Sequence, residues 1–153
     1  MNEVIDKDYG FARIVANIHN LAREMHVTIG VHEREGAAVR GQTTMAEIAA
    51  THEYGCPEHN IPQRSFIRDT HDLFLKENLA LLKRLEARVF KGTMTEHQAL
   101  TLLGEVASKQ MVSRINQGIG PALKPETIRR KKSSKPLIDT GQLKGSIRFK
   151  VES

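Results

Sequence analysis

Tryptophan is absent from this 153-residue chain, and cysteine occurs once, as Cys56. A single cysteine excludes an internal disulfide and fits a reducing compartment. Aromatic residues are scarce, five Phe and two Tyr. That is too few for a stacking platform that reads single strands, and a lean supply for a self-sufficient core. No apolar run approaches the roughly 18 residues that a membrane-spanning helix needs. The opening residues MNEVIDKDYG are polar and acidic, unlike a secretory signal or transit peptide, so the expectation is a soluble cytoplasmic protein. Repeats and low-complexity tracts are also missing. The length predicts one domain spanning residues 1–153.

Excess positive charge is missing from most of the chain. Residues 1–120 hold 14 Lys/Arg against 15 Asp/Glu, whereas 121–153 hold nine against three. The net +5 is therefore a property of the C-terminal segment at about 121–150, where any contact with polyanions must lie.

Hydrophobic periodicity supplies the elements. In residues 9–25, Phe11, Ile14, Val15, Ile18, Leu21 and Ala22 recur at spacings of three and four, an amphipathic helix with Asp8 as its cap. Val27, Ile29 and Val31 then alternate with polar neighbours as a half-buried strand does. Residues 34–44, REGAAVRGQTT, have no period and read as a mobile loop or a long hairpin tip. A short helix over 45–54 places Met45, Ile48, Ala49 and His52 on one face, with Gly55 as its stop. Residues 65–91 carry the longest helical stripe: Ile67, Phe74, Leu81, Leu82, Leu85 and Val89. Leu75 and Leu79 widen it beyond one packed face. After Gly92, Thr95 caps a second long helix to about residue 117, with Ala99, Leu100, Leu103, Val106, Ala107, Met111 and Ile115 in a single stripe. Pro125, Glu126 and Thr127 open a short helix, and Ile147, Phe149 and Val151 alternate as a last strand. The predicted class is α+β, a small antiparallel sheet packed with two long helices in a single domain.

Four motifs suggest chemistry. Asp139, Thr140 and Gly141 spell the DTG of retroviral-type aspartic proteases, whose paired Asp residues share a proton. Only twelve residues follow Gly141, too few for the flap and second loop, so the favoured reading is a turn that Asp139 or Thr140 caps. His52, Cys56 and His59 offer zinc-type ligands within eight residues but lack a second pair, and Cys56 with a neighbouring His lacks an orienting third group. Gly118–Gly120 follows a helix rather than opening one, so it reads as a C-cap rather than a phosphate cradle. The fourth is the run Arg129, Arg130, Lys131, Lys132 and Lys135, which can neutralise phosphates without reading sequence. Arg64 and Arg68, four apart, are candidates to grip Glu53, Asp69, Asp72 or a partner carboxylate.

Three segments, in order, resemble a known family: MAEIAATHEYG at 45–55, IPQRSFIR at 61–68, and ALKPETIRRKKSSKPLIDTGQLKGSIRFKV at 122–151. They are similar to the virion-morphogenesis proteins of tailed bacteriophages, the neck and tail-completion subunits. The commonest form of the middle motif has Pro where this chain has Ser65. The resemblance implies a non-enzymatic subunit that uses no cofactor or metal. It would assemble as a self-associating, often six-fold, ring between the portal complex and the tail tube, at the neck, tail-completion or terminator position. Head-closure, tail-terminator or tail-tube proteins would be its neighbours, duplex DNA a sequence-independent contact in the lumen, and the virion its location after assembly in the host cytoplasm. No membrane is involved. On that reading Phe74, Leu75, Leu79, Leu82, Arg64 and Arg68 are candidate subunit contacts. The cations at 129–135 are candidates for DNA or an acidic partner, and Pro62, Asp139, Thr140 and Gly141 are structural turn residues. The alternative is a non-specific nucleic-acid-binding module built on the basic C-terminal segment, which would bind free duplex with steep salt dependence.

Overall fold

Alternation of apolar side chains decides how the two ends of the chain meet. In the computed structural model, which describes Val15 and residues 25–131, 134–138 and 140–153, β1 (His26–Val31) pairs antiparallel with β4 (Ile147–Glu152). The register sets Val27 against Val151, Ile29 against Phe149 and Val31 against Ile147. Both apolar sets therefore share one face, as a two-residue period requires. An isolated two-stranded sheet is marginal in water. Here a long helix covers it. Most of the helix predicted over 9–25, with its cap Asp8, lies outside the described residues, as do Lys132 and Asp139; Val15 itself is helical and half-buried.

Residues 34–44 carry more order than their lack of period suggests. One helical turn, α1 (Glu33–Gly36), leads into a second, two-stranded sheet of β2 (Val39–Arg40) and β3 (Thr43–Thr44), turned at Gly41 with φ +68°. Its two-residue turn is short enough that no hydrophobic period could register it.

α2 (Met45–Tyr54) starts at a capping box. The Glu47 amide donates to Thr44 Oγ1 at 3.2 Å, and the Thr44 amide donates to Glu47 Oε2 at 2.7 Å. The Thr44 amide and hydroxyl together hold the Glu47 carboxyl below the usual carboxylate range. A depressed folded-state value means stability that is present above the unfolded value and lost as pH falls through the folded one. Thr44→Ala removes the side-chain acceptor of the Glu47 amide, and the loss of that cap is expected to cost about 1 kcal/mol. Urea titrations of both proteins at descending pH should show the difference shrinking once Glu47 protonates.

α3 (Phe66–Phe90) and α4 (Glu96–Gln117) form the long hairpin. Gly92 (φ +67°) turns the chain between them, and a second capping box, Thr95 with Gln98, opens α4. At the inner end Phe66, Met111 and Ile115 join Met45, Ala49, Ile119, Leu137, Leu143 and Ile147 in the main core. A second cluster, Leu85, Val89 and Ala99, closes the far end. Between the two, Asn78 Nδ2 donates to Gln110 Oε1 at 2.9 Å.

Both predicted stripes need correction. Phe66 is wholly buried but Ile67 is 37% exposed, because one residue of helix rotates it about 100° away from the core. On α4, Val106 is 36% exposed, while Gly104 is buried. A Cβ on Gly104 would lie 2.6 Å from the Phe149 ring. That glycine is what lets the sheet lie close against the helix.

The chain closes with α5 (Pro125–Lys131), α6 (Gln142–Gly145) and β4. The architecture is α+β: among the described residues six α-helices, two of them long, and two small two-stranded antiparallel sheets form one domain. No described helix is long and apolar enough to cross a membrane.

Candidate functional site

The three sequence segments that stand apart in the chain meet around one cleft. Glu53, near the end of α2, is only 6% exposed. Its carboxylate accepts from the amides of Ile67 (2.9 Å) and Arg68 (3.2 Å), the second and third residues of α3. It thus acts as a cap supplied from a distance, where the positive end of the helix dipole favours a carboxylate. Ser65, the formal cap residue, turns its hydroxyl to the Glu53 carbonyl at 2.9 Å, beside Gln63 Nε2 at 3.1 Å. The Arg64 amide donates to the His52 carbonyl at 2.8 Å. Gly55 (φ +78°) lies so close to this strand of chain that a Cβ would meet the Gln63 nitrogen at 2.9 Å. The first and second segments are therefore one unit.

Arg64 ties in Pro121, the residue just before the third. It is 4% exposed, and its Nε and Nη2 both donate to the Pro121 carbonyl, at 3.0 and 2.8 Å. Burial lowers its pKa, but a guanidinium stays charged even so. The cleft that results has a volume of about 1330 Å³. Its walls come from α2 and the following turn, from residues 61–64, and from 121–124 and 140–143. Leu137, at φ +63° and 6% exposed, lies in its floor, and Gly141, at φ +82°, caps α6 at its edge.

Several sequence expectations are corrected here. Arg64 is not available to a neighbouring subunit, because its head is buried against Pro121 within the same chain. Neither Arg64 nor Arg68 takes Asp69; Arg114 of α4 does, and it also donates to the Gly118 carbonyl at 3.0 Å. Arg68 is exposed and engages Glu53 through its amide. Thr140 does not cap α6: the cap residue is Gly141, and the Thr140 hydroxyl donates to Gln142 Oε1 at 3.1 Å. Asp139 lies outside the described residues. Pro62 sits, as expected, in the extended stretch before α3 and lines the cleft.

The basic run is divided. Arg129 is exposed, while Lys132 and the side chains of Arg130 and Lys131 lie outside the described residues. Lys135 donates to the Asn116 carbonyl at 3.0 Å, and Lys144 reaches Asn116 Oδ1 at 3.3 Å. Two ammonium groups thus gather at the negative end of the α4 dipole. Around Cys56 the chain folds on itself: Cys56 and Ile61 exchange backbone hydrogen bonds at 2.8 and 2.9 Å across the turn Pro57–His59. Among the described residues no three His, Cys, Asp or Glu side chains are arranged to hold a metal ion.

On the hairpin, Phe74 and Leu82 are half-buried, whereas Leu75 and Leu79 are 40% and 49% exposed. Phe90, eleven residues beyond Leu79 at the end of α3, is 50% exposed, with the exposed Lys83 and Glu86 between them on that side. Leu102 and Val106, one turn apart on α4, make a second exposed apolar pair.

Sequence reasoning missed the role of Glu53, because its partners stand 14 and 15 residues away and no local pattern marks a long-range cap. No protein family, curated protein or solved structure matches the chain.

Proposed function

We propose that this chain is a structural virion protein of a tailed bacteriophage, one subunit of a ring at the head-to-tail junction or the top of the tail. The observation that carries the reading is the set of large apolar side chains left open on the α3–α4 hairpin. Leu75 and Leu79, one turn apart on α3, form one exposed pair, and Leu102 and Val106 on α4 form another. Exposed apolar side chains grouped on one helix face are the material of an interaction site. Two different patches on one subunit are what a head-to-tail ring requires. The resemblance over residues 45–151 supplies the biological setting. The polar groups of the first two segments support it as well: the buried Glu53 and Arg64, the half-buried Ser65 and the exposed Gln63 all bond main-chain atoms, so they hold chain segments in place. The exposed Arg129, within the basic C-terminal segment, gives such a ring a surface for DNA phosphates or an acidic neighbouring ring.

The test is a double variant, Leu75→Asp with Leu79→Asp. Both positions are solvent-exposed in the isolated subunit, so its unfolding free energy should move by no more than about 0.5 kcal/mol per site. Light scattering should show its assemblies reduced to single subunits. Assemblies of unchanged mass would remove this pair as the contact.

A further inference from the structure

The cleft has a composition that the ring reading does not use. At about 1330 Å³ it exceeds the ~300–1,000 Å³ of a small-molecule site, and it suits a length of extended chain. Its described lining mixes apolar side chains such as Met45, Ile48 and Leu123 with His59 and the exposed Lys124; none of the described lining residues is Asp or Glu. Tyr54 stands on its wall 69% exposed. A tyrosine so open beside a cleft is the residue type that interfaces favour as an anchor. The complementary occupant carries carboxylates next to aliphatic side chains.

The chain itself contains such a segment. Residues 2–9, NEVIDKDY, hold Glu3, Asp6 and Asp8 against Lys7, with Val4 and Ile5 between them. They belong to the stretch preceding Met25, where the continuously described fold begins. We infer that residues 2–9 of one copy dock in the cleft of its neighbour, with Val4 and Ile5 against the apolar wall and Asp6 or Asp8 against Lys124. The inference rests on the ring reading and adds a second, charge-assisted contact to the hairpin pairs. It would join adjacent subunits through the place where the three resembling segments converge.

Cross-linking on the full chain tests it. Ile5 is replaced by the photoreactive residue p-benzoylphenylalanine, and unlabelled chains are mixed with heavy-isotope-labelled ones before irradiation. Mass spectrometry should find mixed-isotope cross-links ending on Tyr54, Leu123, Lys124 or their immediate neighbours. Lys124→Glu should lower their yield about five-fold, the scale of one rim charge pair, and added salt should lower it too. Asp6→Lys placed opposite Lys124→Glu should restore the yield, which a merely structural role for Lys124 would not. Cross-links that end elsewhere while assemblies persist overturn the inference and leave the ring reading standing. Cross-links into the cleft confined to one isotope overturn the neighbour as donor. Single subunits with no mixed cross-links overturn both.

Discussion

Phe66→Ala is expected to cost about 3–5 kcal/mol, the usual range for deleting a fully buried aromatic side chain. Phe66 is 0% exposed and lies where α2, α3 and α4 meet, among Met45, Ala49, Met111 and Ile115. As the first residue of α3, it would be replaced by an excellent helix former, so the loss is one of packing and not of propensity. Against a total stability of about 5–15 kcal/mol for a domain of this size, the variant would sit near its unfolding threshold. Urea unfolding followed by far-UV circular dichroism checks it. The midpoint should fall with little change in slope, and Phe66→Leu should recover at least half of the loss. A midpoint within error of the parent protein would mean that the junction repacks around the cavity.

Glu53→Ala is the next largest effect, expected at about 2–4 kcal/mol. The substitution removes the acceptor for two α3 amides, a cap worth ~0.5–2 kcal/mol, and leaves part-buried donors and the space of a buried side chain unfilled, at ~1–3 kcal/mol more. Glu53→Gln keeps one acceptor oxygen in the same position and should lose roughly half as much. Hydrogen exchange gives the sharper reading. The amides of Ile67 and Arg68, bonded to Glu53 at 2.9 and 3.2 Å, should lose protection in Glu53→Ala, while those in the middle of α4 keep theirs. Equal loss along both helices would indicate global unfolding and not the release of a cap.

These two residues also show what could be read from the chain alone. The span of α3 and α4 was legible because each has a long period and a clear stop, and α4 also has a cap at Thr95. The strands were legible because Val27, Ile29 and Val31, like Ile147, Phe149 and Val151, keep a strict alternation, and matching the two sets face to face fixes the register. The capping box of α2 was equally open to reading, since Thr44 and Glu47 stand three apart. Other features are not local. Glu53 reaches across a turn to cap a helix it does not belong to, and Arg64 finds a carbonyl 57 residues away. A pair of arginines spaced four apart looks like a surface charge motif until one of them proves to be buried. Gly104 reads as a weak spot in a helix, yet its space is filled by the ring of Phe149 from the last strand. Such contacts are set by tertiary approach, to which a one-dimensional period is blind.

The cleft illustrates the same point for function. The polar residues of its contributing segments carry no obvious reaction when taken singly. Placed together, Glu53, Gln63, Arg64 and Ser65 form a lattice of side-chain to main-chain bonds that holds 52–68 against 121. The exposed side chains next to that lattice are Tyr54 and Lys124, and further out Leu75 and Leu79 of α3.

The central claim is that this subunit assembles with itself, and its mass in solution tests that most directly. Light scattering behind size exclusion, at two protein concentrations and two salt levels, should give a discrete multiple of the 17.2 kDa subunit, with ring-shaped particles in electron micrographs of the same fraction. A single-subunit mass under all four conditions, together with duplex DNA binding that weakens steeply as salt rises, would contradict it and assign the chain to nucleic-acid binding instead.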